Sequence, residues 1–199
     1  MKKILIATKN EGKAREFRAF FVPKGFRVET LNELKEIPEI IEDGQTFEEN
    51  ALIKAQSLTD VLQTVVVADD SGLMVDALGG EPGIYSARYA GDHDDSANNK
   101  KLLEKLKDVP DEKRTATFHT SLVVTRIGKK PLVVNGDVKG KILKKLQGND
   151  GFGYDPLFYL PELDKTFAEL TPAEKNKVSH RGRAIKKLSE KFDDWWVKE

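Results

Sequence analysis

The sequence predicts an α/β fold in which a mixed central sheet is flanked by helices, with two lobes around a cleft inside a single domain spanning residues 1–199. Three observations carry this. Apolar, β-branched runs of strand length alternate with helix-length stretches through the first half of the chain, the arrangement that sets parallel strands beside crossover helices. Two long strand-like runs, Thr115 to Ile127 and Pro131 to Val138, then follow each other around Gly128-Lys129-Lys130, a hairpin that makes the sheet mixed. Finally, 199 residues, 39% of them hydrophobic, suffice for a core that needs neither disulfides nor structural zinc.

The elements follow in order. Lys2 to Thr8 reads as a short buried strand, and Asn10-Glu11-Gly12 is a turn that opens a helix over Lys13 to Phe21, closed by Pro23-Lys24-Gly25. A brief strand, Phe26 to Glu29, leads into an acidic, proline-interrupted surface loop from Glu33 to Gly44. Thr46 and Glu49 form a capping box, since each side chain can satisfy the other residue's backbone N–H, and a helix runs from Phe47 to Leu62. Thr64 to Ala68 is a β-branched strand that ends at Asp69-Asp70-Ser71-Gly72, which puts two carboxylates at a strand terminus, where α/β sheets carry their chemistry. Gly79-Gly80-Glu81-Pro82-Gly83 is a tight loop and Asp94 to Leu106 a helix. After the hairpin come a glycine-rich aromatic loop, Gly148 to Pro156, a short strand, and a last helix from Arg181 to Trp196.

Composition excludes several classes. Lys plus Arg number 33 and Asp plus Glu 33, so no net charge draws the chain to nucleic acid or to an anionic membrane. With no cysteine there is no disulfide, thiol catalysis or thiolate-held metal, and a reducing, cytoplasmic setting is the expectation. The longest apolar runs, Ile4 to Ala7 and Val65 to Ala68, are too short for a membrane span. His93 and His119 lack zinc-ligand spacing, and neither a P-loop nor a Gly-x-Gly-x-x-Gly turn is present. Charge is nevertheless segregated: acids dominate Glu33 to Asp60, whereas Lys175 to Lys191 holds seven Lys or Arg against one acid, Glu190.

Five constellations can carry chemistry. Thr8-Lys9-Asn10-Glu11-Gly12-Lys13 joins a strand to a helix start, where free N–H groups and a lysine suit a phosphate, although it serves equally as an ordinary helix opening. Asp69-Asp70-Ser71-Gly72 can hold Mg²⁺ through hard oxygens and take a proton from water, or one Asp can simply cap a turn. Glu42-Asp43-Gly44 with Glu48-Glu49-Asn50 and Lys54 can complete such a site, or be caps and surface charge. In Gly151-Phe152-Gly153-Tyr154-Asp155-Pro156, Phe152 can stack on a base and Asp155 accept from a ring N–H; alternatively core aromatics anchor the turn. Ser179 is a natural N-cap that aims His180 and Arg181, with Lys175 shortly before, at an anion or a carbonyl, and the plain alternative is a structural His-Arg pair.

Together and in this order the motifs resemble the inosine triphosphatase family, the XTP/dITP pyrophosphatases. The specific parts are Thr8-x-Asn10-x-x-Lys13, Phe47-Glu48-Glu49-Asn50-Ala51, Ala68-Asp69-Asp70-Ser71-Gly72, Gly79-Gly80-x-Pro82-Gly83, Phe152-Gly153-Tyr154-Asp155-Pro156 and Ser179-His180-Arg181, six in register from Thr8 to Arg181. The resemblance implies an active-site cleft in which a non-standard purine nucleoside triphosphate (ITP, dITP or XTP) is split between its α and β phosphates, giving the monophosphate and pyrophosphate, by an Mg²⁺-dependent homodimer. It implies that Thr8, Lys9, Asn10, Glu11, Gly12 and Lys13 hold phosphates with help from Lys54 and Ser71. On the same resemblance Asp70 would be the general base or metal-linked carboxylate that prepares the water, and Glu42 and Asp70 would ligate the metal with Asp69 and Glu49 in reserve. The resemblance further implies that Phe152, Gly153, Tyr154, Asp155, Lys175, His180 and Arg181 form the base pocket. Hypoxanthine and xanthine carry a carbonyl where adenine carries an amine, so a donor such as Arg181 or His180 pairs with the former and faces the latter unmatched.

Overall fold

The computed structural model describes residues 2–37, 39–91 and 94–197; His93 lies outside them. Among the described residues the strands are β1 (Lys2–Ile6), β2 (Phe26–Thr30), β3 (Val65–Val75), β4 (Thr115–Thr125), β5 (Leu132–Ile142), β6 (Phe158–Leu160) and β7 (Lys165–Thr166). The helices are α1 (Glu11–Phe21), α2 (Phe47–Leu62), α3 (Asp95–Lys105), α4 (Pro172–Val178) and α5 (His180–Val197). The strands form one sheet in the order β2-β1-β3-β4-β5-β6-β7. β1 pairs in parallel with β2 and β3, while β6 runs antiparallel to β5 and β7, so the sheet is mixed as expected.

The chain divides into two compact units, each discontinuous in sequence. The first comprises Met1–Asp70, Thr120–Asn135 and Ala184–Glu199, and the second Ser71–His119 and Gly136–Arg183. In the first unit residues 4–6 of β1 and 65–68 of β3 are buried on both faces, which is why they read as unbroken apolar runs. Side chains alternate between the two faces of a strand. Ile4, Ile6, Val65 and Val67 pack with Phe17 and Phe21 of α1 and with Ala184, Leu188 and Phe192 of α5. Leu5, Ala7, Val66 and Ala68 pack instead with Ala51, Ala55 and Leu58 of α2. This parity decides the chemistry further along β3.

The capping box at the head of α2 forms as read: Thr46 Oγ1 accepts the Glu49 N–H and Glu49 Oε2 accepts the Thr46 N–H, each at 3.1 Å. Other expectations need correction. β3 does not stop at Ala68 but continues to Val75, so Asp69-Asp70-Ser71-Gly72 lies within a strand. The polar run has the composition of a turn, yet it is flanked on both sides by buried strand, and the Thr120 hydroxyl donates to the Asp70 carbonyl at 3.4 Å. The register with β1 ends at Ile6 opposite Val67, so both carboxylates still lie past the end of the parallel ladder. β5 runs four residues beyond Val138, to Ile142. α4 is an additional helix, started by Thr171 and Glu174 in a second capping box with Pro172 in its first turn.

The second unit has its own core, built from Leu73, Leu102, Phe118, Tyr154, Phe158 and Phe167 among others. Arg114 is buried there, and its guanidinium is spent on backbone carbonyls. Its Nη1 donates to the Leu106 carbonyl at the end of α3 (2.6 Å), its Nε to Ile142 O (2.8 Å) and its Nη2 to Leu143 O (3.0 Å). One side chain therefore satisfies three carbonyls, one at the end of α3 and two at the end of β5. Replacing it by methionine keeps the volume but strips all three donors; we expect a loss of about 3 kcal/mol, read as a fall in Tm of about 6–12 °C in a thermal melt.

Candidate active site

In the first unit the chemistry gathers around the end of the β1–β3 ladder. Asn10 caps α1, its Oδ1 accepting the Lys13 N–H at 3.1 Å, and the Thr8 hydroxyl in turn accepts the Asn10 N–H at 3.1 Å. The turn that holds these two polar side chains also opens α1, whose first N–H groups and positive dipole end suit an anion. Lys13, one turn in, reaches across to Asp69, with Nζ 2.8 Å from Oδ2.

Parity along β3 explains the division between the two aspartates. Asp69 follows Val65 and Val67 onto the α1 side, where it is almost fully buried and paired with Lys13. Asp70 follows Val66 and Ala68 onto the α2 side, where Asn50 Nδ2 donates to its Oδ2 at 3.3 Å. Lys54, also on α2, donates from Nζ to the Asp69 carbonyl at 3.3 Å and pairs with Glu42 at 2.9 Å. Asn50 Oδ1 accepts the Gly44 N–H at 2.8 Å, which ties the acidic loop to α2.

Burial pushes the Asp70 carboxyl above the ordinary aspartate range; Lys54 and Lys13 pull it down, and Glu42 and Asp69 push it further up. A carboxylate so placed is a better proton acceptor than a free one. Among the described residues no group of three or more His, Cys, Asp or Glu side chains forms a ready cation cage. The donor set nonetheless fits Mg²⁺, which commonly takes one or two carboxylates and completes its shell with water and substrate phosphates. Glu42 and Asp70 supply hard oxygens, and the carboxylate neighbours that raise Asp70 form an environment a cation relieves.

The remaining residues expected here are placed differently. Lys9 is exposed and contributes its carbonyl to Asn32 Nδ2. Glu11 is exposed and turned to Asn32 (2.9 Å) and Arg18 (3.1 Å), which together hold its carboxyl below the usual range. Gly12 sits in the first turn of α1. Glu49, held in reserve as a metal ligand, is occupied as the cap of α2.

The second unit gathers the other set. Arg181 is 1% exposed, and its Nη2 donates to Ser71 Oγ at 3.2 Å. His180 stacks on Phe118, with ring centroids 4.8 Å apart and planes 12° from parallel. Lys175 lies over Phe152 (4.6 Å to the centroid) and donates from Nζ to Asp155 Oδ2 at 2.5 Å. Burial pushes Asp155 up, against the pull of Lys175, the Phe152 N–H and Arg181. Ser179 caps α5, its hydroxyl accepting the Gly182 N–H at 3.1 Å, so Lys175 at the last turn of α4 and His180-Arg181 at the first turn of α5 are brought together by one corner.

Within the loop at 148–156, Phe152 and Gly153 remain partly exposed while Tyr154 and Asp155 face inward. The Tyr154 hydroxyl donates to the Ser86 carbonyl at 2.9 Å, and burial raises its pKa. Asp155 Oδ2 also accepts the Phe152 N–H at 2.8 Å, so these two residues shape the loop from beneath. Two residues outside the expected set, Asp95 and Asn99 of α3, also hold this loop, through Gly153. Asn98-Asn99 inside a helix is a weak signal of this, since asparagine is a poor helix former and two in succession want a reason.

The profile of the Ham1 family matches residues 4–191 of this chain. The dITP/XTP pyrophosphatase of Lactiplantibacillus plantarum is 54% identical over 98% of this chain and 96% of that protein. Among solved structures, the Ham1 protein of Staphylococcus aureus superposes with a TM-score of 0.88 at 43% identity, covering 97% of this chain and 99% of that one. A HAM1 protein from Coxiella burnetii gives the same TM-score at 38% identity over 98% of this chain and all of its own.

Proposed function

The chain belongs to the Ham1 family, and from that premise we propose that it hydrolyses non-standard purine nucleoside triphosphates, ITP, dITP and XTP, to the monophosphate and pyrophosphate. The observation that carries the reading is the gathering of carboxylates and lysines at one strand end: Lys13 lies 2.8 Å from Asp69, Lys54 lies 3.3 Å from the Asp69 carbonyl and 2.9 Å from Glu42, and Asp70 beside them is held by Asn50 at 3.3 Å. This is a place for a proton acceptor beside bound phosphate. Water adds across the α–β anhydride: its oxygen joins the α phosphorus, one of its protons passes to an oxygen of Asp70, the bond from that phosphorus to the bridging oxygen breaks, and pyrophosphate leaves with the bridging oxygen. Lys13 and Lys54 offset phosphate charge, and the N–H groups at the head of α1 orient the chain of phosphates. Asp70 and Glu42 would hold Mg²⁺, which supplies charge neutralisation and polarises phosphate oxygens.

Base choice is the task of Arg181, His180, Phe152 and Lys175. A buried guanidinium gives a hydrogen-bond donor at low dielectric, which a 6-oxo purine satisfies and a 6-amino purine does not. Arg181→Met keeps volume and removes the donors; we expect the ratio of kcat/KM for ITP to that for ATP to fall about 10- to 100-fold. An unchanged ratio would refute the role given to Arg181.

A homodimer is part of the same proposal, supported by the motif resemblance, and sedimentation of the pure protein tests it. A cytoplasmic setting is supported by the absence of cysteine. Among the described residues no helix is long and apolar enough to cross a membrane. The decisive experiment is product analysis with a panel of purine triphosphates, with and without Mg²⁺. Pyrophosphate release from ITP or XTP, far above that from ATP and lost on chelation, is the expected result; release of orthophosphate would overturn the reading.

A further inference from the structure

Resting on that reading of the 148–156 loop, we propose that Asp95 and Asn99 of α3 are positioning residues for base recognition, holding the backbone beside Phe152 without touching the base. Gly153 has both its polar groups fixed to one helix. Its N–H donates to Asp95 Oδ2 at 2.6 Å, and its carbonyl accepts from Asn99 Nδ2 at 2.8 Å. The same Nδ2 donates to the Asp95 carbonyl at 2.8 Å. Turning the Asn99 amide over would set its oxygen against two carbonyls, so the network fixes its orientation.

The loop needs such a hold. Gly148, Gly151 and Gly153 all have positive φ, at 86°, 85° and 60°, and glycine offers little resistance to leaving any one conformation. Asp155 in turn accepts the Phe152 N–H at 2.8 Å. Phe152, the residue placed to stack on the base, thus sits between two clamps, one from Asp155 with Lys175 and one from α3.

Asn99 is 6% exposed, and its Oδ1 is buried with no hydrogen-bond partner among the described residues. An asparagine inside a helix, with a buried acceptor left over, is a poor choice for stability alone. Holding Gly153 accounts for it. The adjacent Asn98 provides an internal comparison, because it is equally buried but serves another loop. Its Oδ1 accepts the N–H groups of Ala90 (2.6 Å) and Gly91 (3.3 Å), and its Nδ2 donates to Ala87 O (3.2 Å).

The test compares Asn99→Ala, Asp95→Ala, Asp95→Asn and Asn98→Ala with the parent enzyme on ITP and ATP. Asn99→Ala and Asp95→Ala should raise KM for ITP about tenfold, leave kcat within about twofold, and lower the ITP-to-ATP ratio of kcat/KM about fivefold. Asp95→Asn keeps an acceptor oxygen for Gly153 and should restore parental values. Asn98→Ala should lower Tm comparably to Asn99→Ala and leave the ratio unchanged. Hydrogen exchange reads the clamp without turnover: Asn99→Ala should speed exchange across 148–156, and Asn98→Ala only across 87–91. If selectivity merely follows Tm in all four variants, or if exchange across 148–156 is unchanged in both Asn99→Ala and Asp95→Ala, the positioning role is wrong. If the parent enzyme does not act on ITP, the proposed function fails, while exchange still decides whether α3 holds the loop.

Discussion

Asp70→Asn is expected to lower kcat for ITP by about 10²- to 10⁴-fold, the usual contribution of a positioned general base. The same change should leave the fold intact. Burial is the leading cause that raises the Asp70 carboxyl, which means its charged form is tolerated rather than favoured. A neutral amide of the same shape removes that cost, and its oxygen can still accept from Asn50, which now donates to Oδ2 at 3.3 Å. Steady-state turnover and a thermal melt on one preparation check both halves. Near-parental hydrolysis would remove Asp70 from the chemistry, and a Tm lowered by more than a few degrees would mean that its charge stabilises the first unit after all.

Gly182→Ala is expected to be the most damaging change of a single methyl group. A Cβ at this position would lie 1.8 Å from the Asn176 carbonyl oxygen and 2.7 Å from its carbon, both backbone atoms of α4 that no rotamer change can clear. The corner between α4 and α5 must open, which breaks the Gly182 N–H to Ser179 Oγ cap and displaces His180 and Arg181. We expect a loss of at least about 3 kcal/mol, a Tm lower by about 6–12 °C, and ITP hydrolysis that falls even at temperatures where the variant is folded. Calorimetry and low-temperature kinetics give the two readouts. A variant as stable and as active as the parent would show that the corner is not held where Gly182 places it.

What the sequence alone reveals of this protein is mostly local. The Thr46–Glu49 box announces α2 because every atom it uses lies within four residues. The same logic, applied to Thr171 and Glu174, would have revealed α4. The extent of β3 was not legible, since Asp-Asp-Ser-Gly carries turn chemistry in its composition and only its neighbours keep it extended. The motifs identified the right stretches of chain but not the duties within them. Tyr154 and Asp155 belong to the loop's underside, where a hydroxyl meets Ser86 and a carboxylate meets Lys175 and the Phe152 N–H. The role of Asp95 and Asn99 is not legible in the sequence because their partner, Gly153, is more than fifty positions away.

Two chemically identical neighbours, Asp69 and Asp70, are given separate employment by nothing more than which way a pleated backbone turns each of them. Lengthening the preceding run by one amino acid would therefore set the first carboxylate in the place beside Asn50, and shortening it by one would carry the second to the place beside Lys13, in each case turning the other to the opposite face one residue out of position. A tally of conserved letters could not detect such a reversal. Spacing, more than identity, is what this stretch has to preserve.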